Sequence, residues 1–206
     1  VPRGVVLRQP LHALSALSDG KTDMGRTLVV LEEGAEATLL TETASPDSSA
    51  GGFHCGRTEI YVGAGANLRF VNLQNWGLSV WHFAHQKVRV GRDASIQWTT
   101  SSMGARMAQV SQQVLLAEPG AHCQVNGVLF TEGKQQATCN SLQYHMAPDC
   151  RSDFLYKSAL QDRSRTVWRG MIKVDEKAQR TNGYQRNDNL LLSNRSRADS
   201  IPGLEI

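Results

Sequence analysis

The side chains best suited to chemistry in this chain are its thiols and imidazoles. His122, Cys123, Cys139, His145 and Cys150 lie in one stretch. Thiolate and imidazole are soft or borderline ligands, so such a set could hold iron or relay sulfur. The competing reading is inward packing, because a free cysteine buries as a modest hydrophobe. A reactive thiol would also need a depressed pKa, and no basic partner is fixed by the sequence. Cys123, Cys139, His145 and Cys150 are the candidate metal residues; no catalytic or cofactor-binding residue is assigned.

Other constellations point less far. His82 and His85 have a helical metal spacing, but on a strand residues three apart face opposite ways, so two surface or turn histidines are expected. GGFHCG lacks the lysine and following helix of a phosphate cradle. Asp and Glu lie singly, without the pair that glycoside hydrolysis needs. Trp76, Trp81, Trp98 and Trp168 could form a sugar or base platform, but core packing is the better reading. Arg163 to Arg197 holds nine Lys/Arg, interleaved with Asp and Glu; at alternating outward strand positions this is a solvated face, and no nucleic-acid partner is expected.

These residues need elements to position them, and the elements repeat. The pattern is apolar, any, apolar, three residues, a small residue, any, apolar, any, apolar. Val29 and Leu31 lead to Ala35, then Ala37 and Leu39; Ile60 and Val62 lead to Ala66, then Leu68 and Phe70; Val88 and Val90 lead to Ala94, then Ile96 and Trp98. Ala121, Cys150 and Ala178 continue the series, at intervals of about 28 residues, a period in the range of solenoid repeats. Alternation with outward residues such as Arg69, Arg89, Gln97 and Lys173 is the period of a strand with one buried face. A sandwich would turn roughly every 8 to 12 residues. The longer period predicts an all-β, right-handed parallel β-helix, a solenoid of six to seven rungs of roughly 28 residues stacked about 4.8 Å apart. In that geometry Cys123 takes an inward slot and Cys150 replaces a corner alanine. Cys123 and Cys150, about one period apart, could then be neighbours in adjacent rungs. Only LHALSALSDG reads as a short helix, ending at Gly20. RTNGYQRNDNLLLS falls on the sixth rung, with Arg180 and Asn182 in slots that other rungs fill with Leu and Phe, and with its leucines restarting the inward packing.

Composition agrees with one elongated domain. Among 206 residues 40% are apolar and 20% charged, with a net charge of +3, and no apolar run approaches the roughly 20 residues of a membrane span. VPRGVVLRQPLHAL does not read as a secretory signal. Four widely spaced cysteines suit a reducing, cytoplasmic setting.

EPGAHCQVNGVLF, HMAPDCRSDFLYKSALQDRSRTVWRGMIKV and KAQRTNGYQRNDNLLLSNRSRADSIPGLEI together resemble the core domain of the SufB/SufD proteins of iron–sulfur cluster assembly. The resemblance is specific over residues 119 to 206 and looser over 1 to 118. It implies a right-handed parallel β-helix, which the repeat predicts independently. It also implies a scaffold subunit, not an enzyme, that pairs with a SufB-like paralogue or a second copy of itself, and meets a SufC-like ATPase through a C-terminal helical region. The NG after the Cys123 turn and the HMAPDC stretch look closer to SufD. The SufB branch carries an essential cysteine in the strand before that turn, and Gln112 to Leu116 contains none. Residues 1–206 are thus expected to be a single β-helical core without the family's N-terminal helical and C-terminal ATPase-binding regions, and without its Cys-x-His-Gly segment. No firmly bound cofactor is expected; a transient iron–sulfur cluster would belong to the assembled complex. The alternatives are a β-helical carbohydrate-active enzyme, or a structural protein unrelated to iron–sulfur chemistry.

Overall fold

The computed structural model describes residues 1–47 and 49–206. Fourteen strands follow one another: β1 (Leu11–Ala16), β2 (Thr22–Leu31), β3 (Glu36–Ala44), β4 (Gly52–Val62), β5 (Asn67–Trp76), β6 (Val80–Val90), β7 (Ser95–Gly104), β8 (Met107–Leu116), β9 (His122–Thr131), β10 (Gln136–His145), β11 (Arg151–Leu160), β12 (Arg165–Val174), β13 (Asn182–Leu191) and β14 (Arg197–Glu205). Odd-numbered strands make one seven-stranded sheet and even-numbered strands the other, and every pairing is parallel. Each strand therefore pairs with the next but one, and the chain winds as an all-β solenoid of about seven turns. The rungs differ in length: the step from Trp81 to its partner Met107 is short, and that from Arg165 to Arg197 is long.

One corner of each turn carries the small residue of the repeat. Ala35, Ala66, Ala94 and Ala121 are fully buried, and Cys150 and Ala178 almost so. The residue before the first five of them is left-handed: Gly34, Gly65, Asp93, Gly120 and Asp149 all have φ between 53° and 73°. That conformation aims each N–H along the solenoid axis, where it donates to the next rung, as Gly65 does to Arg92 and Asp149 to Gln179. Glycine at 120 answers a second demand, because a Cβ there would lie 2.1 Å from Asp93 Oδ1.

Inside this corner lies the main apolar core. Val62, Val90 and Leu116 from the even sheet meet Leu68, Phe70, Ile96, Trp98, Val125 and Phe154 from the odd sheet. Phe70 and Trp98, register partners on adjacent rungs, tilt against each other at 5.4 Å between ring centres. A second, smaller cluster of Leu17, Trp76, Val80, Ala105, Ala108 and Ala137 fills the opposite corner.

Two sequence expectations are corrected. Leu11–Ala16 is not a helix but β1, fully exposed along its length and paired to β3. A helix this short has too few internal hydrogen bonds to cover its nucleation cost, whereas the edge of β3 offers a ready row of backbone partners. The sixth rung is displaced: Arg151 pairs with Asn182, so Gly183 and Gln185 take the positions of Ser152 and Phe154. Arg180 stands instead in a widened turn, at φ 58°, where Nε and one Nη donate to Asp149 at 2.7 and 2.6 Å. Of the leucines of NLLLS, Leu191 is the register partner of the buried Leu160 and so takes an inward position on β13.

Candidate functional site

Between the two apolar clusters runs a polar band. It is positioned by alternation, which turns every second side chain inward, and by register, which stacks those side chains in columns. The odd sheet contributes Thr41, Asn72 and Thr100 in one column and Thr43, Gln74 and Ser102 in the next. The even sheet contributes Asp23, His54 and His82 in one column, and Gln86 over Gln112 in another.

The histidine column is the most structured part. His54 and His82 place their Nδ1 atoms 2.8 Å apart, stacked at 4.8 Å between ring centres and tilted onto Trp76. Asp23 Oδ2 lies 3.5 Å from His54 Nε2. One of the two Nδ1 atoms donates and the other accepts, and a proton on His54 Nε2, facing the carboxylate, is the arrangement in which His82 Nδ1–H is the donor. Burial pushes the His54 pKa down, with Asp23 opposing. Burial, with His54 adding to it, pushes His82 down to about 3. Both rings are neutral near pH 7. They border a mouth of about 170 Å³ that Thr43, Gln74 and Gln86 also line.

Deeper in, Asn72, Gln74, His82 and Gln86 also line a chamber of about 30 Å³, closed on its far side by Gln112, Cys139 and Tyr156. Tyr156 O–H donates to Gln112 Oε1. Its ring fits because its register partner is Gly127, where a Cβ would come within 2.2 Å of the ring. Burial raises the Cys139 thiol to about 12, although a hydrogen bond with Tyr156 works the other way. This thiol is protonated and unreactive at neutral pH.

The candidate metal residues do not converge. Cys123 pairs with Ser152 on β11, and Cys150 stands two residues earlier at the corner, so the rung carries Cys123 past Cys150 and the two thiols are not register partners. Cys139 lies on the opposite sheet, between Val110 and Trp168. His145, fully buried, shares a hydrogen bond with Ser152 Oγ at 2.8 Å, and Ser152 in turn donates to Gln143. Burial lowers His145 to about 4, and raises Cys123 and Cys150. His122 is half buried beside Arg151, its pKa lowered by burial first and by that guanidinium second. Among the described residues no group of three or more His, Cys, Asp or Glu side chains is arranged to hold a metal.

His82 and His85 do face opposite ways, but His82 is no surface residue. It is 5% exposed, because the rung before it supplies His54. The sequence held a signal for this pair, since His54 and His82 stand one period of the repeat apart. Trp76, Trp98 and Trp168 are buried; Trp81 alone of the four is exposed. Within the paired strands no two carboxylates are register partners. The basic segment is paired with acids along the surface, Arg186 with Asp188, Arg197 with Asp199 and Lys173 with Glu205. No helix among the described residues is long and apolar enough to cross a membrane.

The structure is a two-sheeted parallel solenoid in which Cys123, Cys139, Cys150, His54, His82 and His145 are buried and Cys55 is exposed. The comparison with known families carries this further. Residues 14–206 match the SufBD core domain of the SUF system for iron–sulfur cluster assembly, and the chain belongs to that family. It is 26% identical over its whole length to an iron–sulfur cluster assembly SufBD family protein of Staphylococcus saprophyticus, covering 44% of that protein. A Mycobacterium leprae relative of the same description is 32% identical over 78% of this chain and 43% of its own length. One from Mycobacterium tuberculosis is 30% identical over 91% of this chain and 48% of its own. The chain thus spans less than half the length of these curated relatives.

Proposed function

We propose that this chain is the core of a SufD-like scaffold subunit, not itself an enzyme, which supports cluster assembly in the cytoplasm. It pairs with a SufB-like paralogue and is driven by a SufC-like ATPase bound through another part of the protein. The observation that carries this reading is the state of its thiols. The inward positions of β8 are Ala108, Val110, Gln112, Val114 and Leu116, without the cysteine that the SufB branch places there. Cys123, Cys139 and Cys150 are buried with raised pKa values, so no described lumen thiol is a ready nucleophile. Any iron–sulfur cluster is then cargo of the assembled complex.

The test is co-expression of the full-length parent with SufB and SufC homologues. A three-component complex surviving gel filtration is expected. A parent that elutes alone would end the proposal, and one that self-associates and excludes the SufB homologue would replace the heterodimer by a homodimer.

A further inference from the structure

The chamber in the polar band is lined by amides that do not find one another. Gln86 and Gln112 are register partners on adjacent rungs, and stacked amides ordinarily bond along the stack. Here each is drawn aside. Gln112 Oε1 accepts from Tyr156, and Gln86 Nε2 donates to Asn72 Oδ1 at 3.4 Å. That leaves Gln112 Nε2 and Gln86 Oε1, a donor and an acceptor on neighbouring rungs, both buried and neither partnered within the protein. Across the chamber Gln74 Nε2 is buried and unpartnered in the same way. These three side chains, Gln112, Gln86 and Gln74, are 1%, 6% and 4% exposed, and all three line the one chamber.

An unpartnered buried polar atom costs about 1–3 kcal/mol. The three residues that carry these atoms border one space, and the partner they lack is defined by their chemistry. It must accept from Gln112 and from Gln74, and donate to Gln86. It must be uncharged, because no Asp, Glu, Lys or Arg lines the chamber and His82 is the one imidazole there. It must also be small: at about 10–15 Å³ for each water, about 30 Å³ accommodates about two.

We infer that the chamber between Gln74, Gln86 and Gln112 is a built site for about two ordered water molecules, one of them bridging the two stacked glutamines. The hydroxyls of Thr100 and Ser102 on the odd-sheet wall supply the remaining hydrogen-bond capacity. The waters are part of the fold, standing where a direct Gln86–Gln112 bond would otherwise close the ladder.

Oxygen-17 relaxation dispersion of the solvent counts long-lived internal waters and tests this on the whole chain. The Gln86→Met/Gln112→Met double variant should hold one or two fewer than the parent. An unchanged count overturns the inference. A crystal structure of the parent, at a resolution that shows ordered solvent, asks the same question without a variant. Density bridging Gln86 Oε1 and Gln112 Nε2 is expected, and the two amides turned directly onto each other would sink the proposal.

Discussion

The main apolar core and the polar band are built by one backbone, with the same alternation and the same rung spacing, yet they are held together by different physics. Beside the alanine corner, Phe70, Trp98, Val125 and Phe154 are nearly or completely removed from water and pack through apolar surface, the Trp98 indole N–H being the one hydrogen-bonding group on these four side chains and lacking a partner. Further along β5 and on the facing sheet, Gln74, Gln86 and Gln112 are almost as enclosed, and depend on a network of hydrogen bonds that is incomplete within the protein. Enclosure alone therefore says little about stability here. In the core the apolar surface contributes by leaving water, and in the band each amide must recover a hydrogen bond to avoid a penalty.

That contrast is most directly broken at Trp98. Trp98→Ala should cost about 3–5 kcal/mol, read from the urea midpoint, because the rungs above and below hold the cavity open. A cost under about 1 kcal/mol would mean that the core is not packed as described. Next comes pH. The folded pKa values of His54 and His82 lie below an unfolded value of 6.5, so the unfolded chain binds more protons below that point. Their contribution is present above pH 6.5 and is lost as pH falls toward the folded value of about 3 for His82. At one unit below the unfolded value the loss approaches about 1.4 kcal/mol for a fully shifted histidine. His145, also lowered, adds to the slope from outside the band. A His54→Gln/His82→Gln variant should flatten the dependence of the urea midpoint between pH 7 and 5, and an unchanged slope would place the titration elsewhere.

Smaller effects sharpen the comparison inside the band. Tyr156→Phe leaves Gln112 Oε1 without its donor and should cost about 1–3 kcal/mol, with the Cys139 thiol losing a hydrogen-bond partner at the same time. A fully neutral result would show that water takes over the phenol's role. Smallest in energy is thiol accessibility. Under native conditions a disulfide reagent should label Cys55, the exposed cysteine, quickly, and Cys123, Cys139 and Cys150 only on unfolding. Rapid labelling of Cys139 would mean that bulky reagents reach the chamber.

Much of the fold was legible because a solenoid repeats its constraints. The corner alanines and the alternating residues around them recur at nearly even intervals, and a corner that admits only a small side chain leaves the same mark on every turn. The displaced sixth rung escaped that reading, since Ala178 keeps the interval while the extra residues come after it, in the turn that Arg180 occupies. β1 escaped it because strand formation there depends on the edge of β3 and not on its own short sequence. In the site, the inward burial of Cys123 and Cys150 followed from the repeat. The pairing of His54 with His82 lay within the same period, but His82 invited comparison with His85, its neighbour in sequence.

What the sequence by itself determined is the rhythm: which residues turn inward, where the chain bends, and that parallel rungs stack into one solenoid. Those properties follow from local sterics and from the burial of alternate side chains, which each rung expresses within its own span. Only the tertiary structure decided which inward residues meet across the lumen. That depends on rung offsets that vary along the stack, from the short step at Trp81 and Met107 to the long one at Arg165 and Arg197. It depends equally on how two facing sheets bring Tyr156 to Gln112 and Asn72 to Gln86. A shift of one or two residues in a turn leaves the alternation intact and changes every such partner, so the polar band and its chamber exist only in the assembled stack.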